Sequence, residues 1–169
     1  MNPFSLLSFI AVAAYLYFGV YLLLRDRRSP TSIVFFLLCV GCAGWSFPYI
    51  FAHAATTAAE YMRWYRFAVV SSTVLPPLTL HFLLRLTGRP SAATRRWLAP
   101  LVYLPVIPFF WRAATGPLFA TGVIRGPWGW LEVVSLSEPW TAAFVAYYVT
   151  CSAVGLALCL AWGRRSTAA

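Results

Sequence analysis

Five apolar stretches of about twenty residues each, separated by short polar gaps, fill most of the 169-residue chain. They run over about Ser5–Leu24, Thr31–Ala52, Trp64–Leu86, Trp97–Ala114 and Trp140–Trp162. A helix rises about 1.5 Å per residue, so each stretch can cross the roughly 30 Å hydrocarbon core of a bilayer. The pattern predicts an all-α, polytopic membrane bundle of five transmembrane helices, one domain over residues 1–169. Met1–Phe4 lacks the basic region of a cleaved signal peptide, and the first apolar run is too long for one, so it reads as a retained span.

The gaps between the spans orient them. Arg25, Arg27, Arg28, Arg85, Arg89, Arg95, Arg96, Arg164 and Arg165 fall on one side, and only Arg63, Arg66, Arg112 and Arg125 on the other. The arginine-rich side is expected to be cytoplasmic, with the N-terminus outside and the C-terminus inside. Tryptophans agree: Trp64, Trp111, Trp128, Trp130 and Trp140 mark the outer boundary, Trp97 and Trp162 the inner one. Pro48 punctuates the second span, Pro76–Pro77 the third, and Pro100, Pro105 and Pro108 the fourth. Each removes a backbone donor and should bend its helix, with neighbours re-satisfying the freed carbonyls. Ser71, Ser72 and Thr73 precede the Pro76–Pro77 pair by one turn and can supply hydroxyls there.

Composition sharpens this picture mainly by exclusion. With 61% hydrophobic and 10% charged residues, the chain has too little polar surface for a soluble domain. The net charge of +9 reflects arginines in short gaps, and so reports orientation in the bilayer rather than nucleic-acid binding. No lysine is present, so neither a Schiff base nor a phosphate-loop lysine can form. The acids are Asp26, Glu60, Glu132 and Glu138, too few for paired-carboxylate or metal-carboxylate chemistry. No nucleophile elbow, zinc-protease motif or phosphate-binding glycine loop occurs, and only four residues follow Arg165, so no soluble catalytic domain is expected in this chain. The expectation is a non-enzyme with no metal site and no required cofactor.

A few side chains carry candidate chemistry. Cys39 and Cys42 have CxxC spacing, but inside an apolar span they read as small packing residues. With Gly41, Ala43 and Gly44 they let another helix approach closely. His81, in the inner half of the third span, can ligate haem or a pigment, relay a proton, or simply hydrogen-bond to a neighbouring helix. His53 lies at the outer boundary and reads as solvated. Glu60 and Arg63 have the i, i+3 spacing of a surface ion pair. Arg66, two residues inside the third span, can snorkel outward or point inward and hold an anion in a cavity lined by Trp45, Tyr49 and Trp64. Arg66, Trp45, Tyr49, Trp64 and Glu60 are the candidate ligand-binding residues. The loop over Thr115–Pro139, rich in glycine, proline and tryptophan, reads either as an interfacial lid or as a surface loop anchored by its tryptophans.

The succession Trp45, Glu60, Arg66, Leu75-Pro76-Pro77, His81-Phe82 and Leu86-Thr87-Gly88-Arg89 resembles the N-terminal seven-helix membrane region of bacterial sensor histidine kinases. Leu118–Val123 and Trp128-Gly129-Trp130 are similar to that family's outer loop before its fifth helix. The resemblance covers nearly the whole chain and rests on aromatics, prolines and glycines. It implies an outside N-terminus, a bacterial inner-membrane location and a non-catalytic module that passes a signal inward. The chain departs from the family in having five spans, and no dimerisation helices, phospho-acceptor or ATP-binding domain, which reads as a fragment or a short relative. The alternative is an accessory subunit of a larger membrane complex, in contact with cofactors or lipids. A small transporter or membrane enzyme comes third. Expected partners are membrane lipids and other transmembrane helices, in a homo-oligomer or a larger complex, and not nucleic acid.

Overall fold

The computed structural model describes residues 2–88, 98–127 and 129–166. Arg89, Arg95, Arg96, Trp97 and Trp128, used above for orientation and resemblance, lie outside the described residues. The chain is mostly helical. Helix α1 (Pro3–Arg25) starts on an Asn2 cap, whose side chain accepts from the Phe4 N–H, with Pro3 in the first turn where its missing donor costs nothing. Helix α2 (Pro30–Ala52) follows after a short link in which the Asp26 carboxylate accepts from the Ser29 N–H at 3.2 Å. Pro48 lies inside α2 without interrupting it. The two helices form an antiparallel pair, closed at the far end by the Asn2 amide donating to the His53 carbonyl at 2.8 Å.

The third apolar stretch is divided. Helix α3 (Ala58–Ser72) begins six residues earlier than hydropathy suggests, and α4 (Leu75–Leu86) continues it after a break. Pro76 and Pro77 fall in the first turn of α4, where unpaired donors are normal. The hydroxyls of Ser72 and Thr73 donate to the Val69 and Val70 carbonyls at 2.7 and 2.8 Å, in the last turn of α3 rather than at the Ser72 and Thr73 carbonyls that the proline pair frees.

One continuous helix over the fourth stretch is not what forms. Helix α5 (Leu98–Tyr103) and helix α6 (Val106–Thr115) are separated by a turn at Leu104 and Pro105, because Pro105 has no N–H and its ring clashes with the preceding turn. The Tyr147 hydroxyl donates to the Val102 carbonyl beside this break at 2.6 Å. Helix α7 (Pro139–Ser166) closes the bundle. By length and composition, α1, α2, α3–α4 together and α7 can cross a membrane.

The segment after α6 departs from the all-α expectation. Strand β1 (Ala120–Gly126) pairs antiparallel with β2 (Gly129–Val134), in a register that sets Val123 opposite Glu132 and Arg125 opposite Trp130. Val123, Ile124, Val133 and Val134 supply the branched side chains that favour strands, and Gly129, at φ 127°, takes a turn conformation open to glycine.

Helix α2 is the central element, packed on α1 along one side and on α3 and α4 along the other. Small residues make this possible. A Cβ on Gly19 of α1 would lie 2.8 Å from the Cys39 Cβ, and one on Gly44 would lie 3.3 Å from the Ser71 Oγ. Helix α7 packs on α4, and α6 on α3. The main buried cluster lies at the end of the bundle that carries the hairpin, around Tyr61, Tyr65, Val69, Phe109, Ala113 and Phe144.

Candidate functional site

The hairpin end is organised by the first two turns of α3. Thr57 caps the helix by accepting from the Glu60 N–H at 3.2 Å, and the Glu60 carboxylate reaches back to the Thr56 N–H at 3.0 Å. This reciprocal pattern is close to a capping box, and it occupies Glu60 structurally. One turn of α3 then points inward. Tyr61 is 0% exposed and Tyr65 is buried beside it, their rings stacked at 6.0 Å. The Tyr61 hydroxyl donates to Glu132 Oε2 of β2 at 2.5 Å, which ties the hairpin to the bundle. Tyr49 of α2 meets Tyr65 edge-on at 6.4 Å and stacks on His53 at 5.4 Å.

A cavity of about 180 Å³ lies against Tyr65 and Arg66, and two bigger ones flank this tyrosine cluster, one on either side. The larger, about 700 Å³, lies between α3 and α6 and is lined by Arg63, Arg66, Met62, Phe67, Val70 and Ala113. Arg63 and Arg66 are three residues apart, so they share a helix face. Both are exposed and line an otherwise apolar groove, an arrangement that suits an anion with an apolar body. The smaller cavity, about 400 Å³, lies between α1, α2 and the hairpin, and its lining includes Tyr15, Trp45, Tyr49, His53 and Glu132.

The residues picked out by sequence are therefore not one constellation. Arg66 lines the larger cavity, while Trp45 and Tyr49 line the smaller one. Trp64 belongs to neither lining and stacks on Phe51 at 4.5 Å. Tyr61, Tyr65 and Glu132 were not singled out. The i, i+4 tyrosine pair and an acid among the branched residues of a tryptophan-rich loop were the available signals. His53 is more enclosed than a solvated residue. Burial pushes its imidazole below the ordinary value of 6.5, with Glu132 pulling in the opposite direction.

His81 sits toward the other end, on α4. Its Nδ1 is 3.0 Å from the Tyr103 hydroxyl, and its Nε2 accepts from Arg85 Nε at 3.4 Å. An Nε2 that accepts leaves the proton of a neutral ring on Nδ1, so Nδ1 is the donor to Tyr103. Both ring nitrogens thus have partners within the protein. The four cysteines are free, and among the described residues no three His, Cys, Asp or Glu side chains form a metal-binding group.

A family model described as the N-terminal 7TM region of histidine kinase matches residues 6–169. No curated protein and no solved structure matches the chain.

Proposed function

The chain belongs to this family of N-terminal 7TM regions of histidine kinases, a multi-pass membrane region of sensor type, and on that premise we propose how it senses. The module works in the bacterial inner membrane with α1 starting outside. All five apolar stretches cross, the α5–α6 pair included, and the hairpin lies on the outer face, as the arginine distribution favours. Its ligand is an anionic amphiphile, or a lipid of that chemistry, seated between α3 and α6. The observation that carries this reading is the pairing of Arg63 and Arg66 over the apolar walls of one cavity of about 700 Å³. Occupancy would favour one packing of α3 against α6, and the ligand shifts the equilibrium only as far as it prefers that packing.

Oleate titrated onto the purified chain in nanodiscs is the direct test. Arg66→Ala is expected to weaken oleate about tenfold or more, the loss of one charge-assisted contact, without changing the helical signal. It should also alter the phosphorylation output of the kinase that this region is joined to or sits beside. Unchanged oleate affinity would mean that Arg66 only snorkels to the headgroups. Topology is tested separately by reporter fusions at Arg28, expected inside, and at Thr56, expected outside.

A second reading, an accessory helix-packing role in a larger membrane complex, draws on the surface of α1 and α7. Leu7, Tyr17 and Leu156 are each more than 60% exposed, and these faces suit either lipid or further transmembrane helices. Co-purification of partner chains at fixed stoichiometry, with loss of α1 folding when the chain is expressed alone, would favour it.

A further inference from the structure

The smaller cavity has a chemistry opposite to that of the arginine groove, and neither the family match nor the proposed sensing site accounts for it. Its volume of about 400 Å³ falls in the range of small-ligand sites, about 300–1,000 Å³. No arginine lines it, although arginine supplies all thirteen basic residues of the chain. One of only four acids, Glu132, does line it. Two aromatic walls meet there at a right angle: the Trp45 and Tyr49 rings lie 6.1 Å apart at 87°. Tyr15 adds a third aromatic side chain from α1, and Ser8 and Ser46 contribute hydroxyls.

We propose that this cavity binds an organic cation of the quaternary or alkylammonium class, with Trp45, Tyr49 and Tyr15 as the aromatic walls and Glu132 as the counter-charge. Aromatic faces attract a diffuse cation that sheds its water cheaply, and a nearby carboxylate neutralises it. A divalent metal fits poorly, since a hard cation needs six or more oxygens and the cavity offers one carboxylate. An acyl chain fits poorly as well, because it would strand that carboxylate in apolar surroundings. The Tyr61 hydroxyl holds Glu132 at 2.5 Å, so the charge is positioned before the ligand arrives. His53, held neutral by burial near pH 7, adds no opposing charge.

The site shares no lining residue with the arginine groove and is tested with its own ligand. Choline chloride is titrated by calorimetry onto the chain in phosphatidylglycerol nanodiscs, against its uncharged carbon isostere dimethylbutanol at matched ionic strength. Choline should bind saturably and the isostere at least about tenfold more weakly. Glu132→Gln, which keeps an acceptor for Tyr61, should weaken choline about tenfold, and so should Trp45→Leu, while Glu138→Gln, at an acid outside the cavity, leaves it unchanged. Absence of saturable binding, equal affinity for the isostere, or undiminished binding by both Glu132→Gln and Trp45→Leu would overturn the proposal. Repeating the titration in an uncharged glycolipid bilayer, and then in phosphatidylcholine, which has the same zero net charge, identifies the source. A weaker apparent choline affinity in phosphatidylcholine than in the glycolipid means that a lipid headgroup competes for the site, and an unchanged affinity means that the site takes a free solute.

Discussion

Tyr61→Phe removes a single oxygen atom from the most enclosed aromatic residue of the bundle and leaves its ring, its stack on Tyr65 and the capping of α3 in place. What it deletes is the donor to Glu132, the side-chain hydrogen bond from α3 to β2. A hydrogen bond to a charged acceptor contributes about 1.5–3 kcal/mol. Glu132 is only half-buried, so water can replace part of the lost bond, and the lower end of that range applies. At about 1.4 kcal/mol per tenfold, the undocked population of the hairpin should rise roughly tenfold.

Amide hydrogen exchange read by mass spectrometry in nanodiscs separates docking from global stability. In Tyr61→Phe the amides of Ala120–Gly126 and Gly129–Val134 should exchange roughly tenfold faster, while those of α1 and α2 keep their wild-type rates. Glu132→Gln, which retains a neutral acceptor, should give a smaller change of the same kind. Hairpin exchange that is unaltered by Tyr61→Phe, or that rises in step with α2 and α3, would refute the idea that this bond docks the hairpin.

Three further outcomes follow from packing and charge. Gly19→Ala sets a Cβ 2.8 Å from that of Cys39 and should cost about 1–3 kcal/mol in detergent unfolding, with Cys39→Gly on the same chain restoring most of it. Thr141→Val removes the buried hydroxyl that donates to the Leu118 carbonyl at 2.6 Å, and should lower unfolding free energy by about 1 kcal/mol or more. His53 is neutral in both folded and unfolded chains well above its ordinary value of 6.5. As pH falls through that value the unfolded chain takes up a proton that the folded one binds more weakly, so stability declines. Melting temperatures between pH 7.5 and 5 should therefore fall further for the wild type than for His53→Gln, and equal slopes would show that burial of His53 has no such effect.

The parts of the fold legible from sequence are those where hydropathy alone decides the outcome. Helices α1, α2 and α7 sit within a few residues of their apolar stretches, since each lies in one uninterrupted run. The start of α3 was hidden because its first turns are amphipathic: Glu60 and Arg63 face away while Tyr61 is buried, and the average over the window reads as a polar link. The hairpin was hidden by its turn-forming glycines and proline, which outweigh Val123, Ile124, Val133 and Val134 in a composition-based reading. Arg66 was legible as a charge at unusual depth, but its neighbours were not. Successive residues on a helix point about 100° apart, so Trp64 turns to Phe51 while Tyr65 turns to Tyr49. Which aromatic faces which partner is a tertiary fact that a list of tryptophans does not contain.

Helix α3 is where the two proposed sites meet. Arg63 and Arg66 face one cavity, and Tyr61 and Tyr65 face the tyrosine cluster that borders the other, on opposite sides of the same two turns. An anion on one side and a cation on the other would thus load a single element. That element ends at the Ser72–Val74 break, beyond which α4 packs on α7 and runs to the opposite end of the bundle. Because hydroxyl groups already satisfy the Val69 and Val70 carbonyls at the break, α3 can tilt against α4 without stranding these two backbone acceptors in hydrocarbon. Each ligand would then move the bundle only by the difference in its affinity for the two tilts. Oleate and choline should therefore alter one another's affinity by the same factor, which titrating each in the presence of the other measures directly.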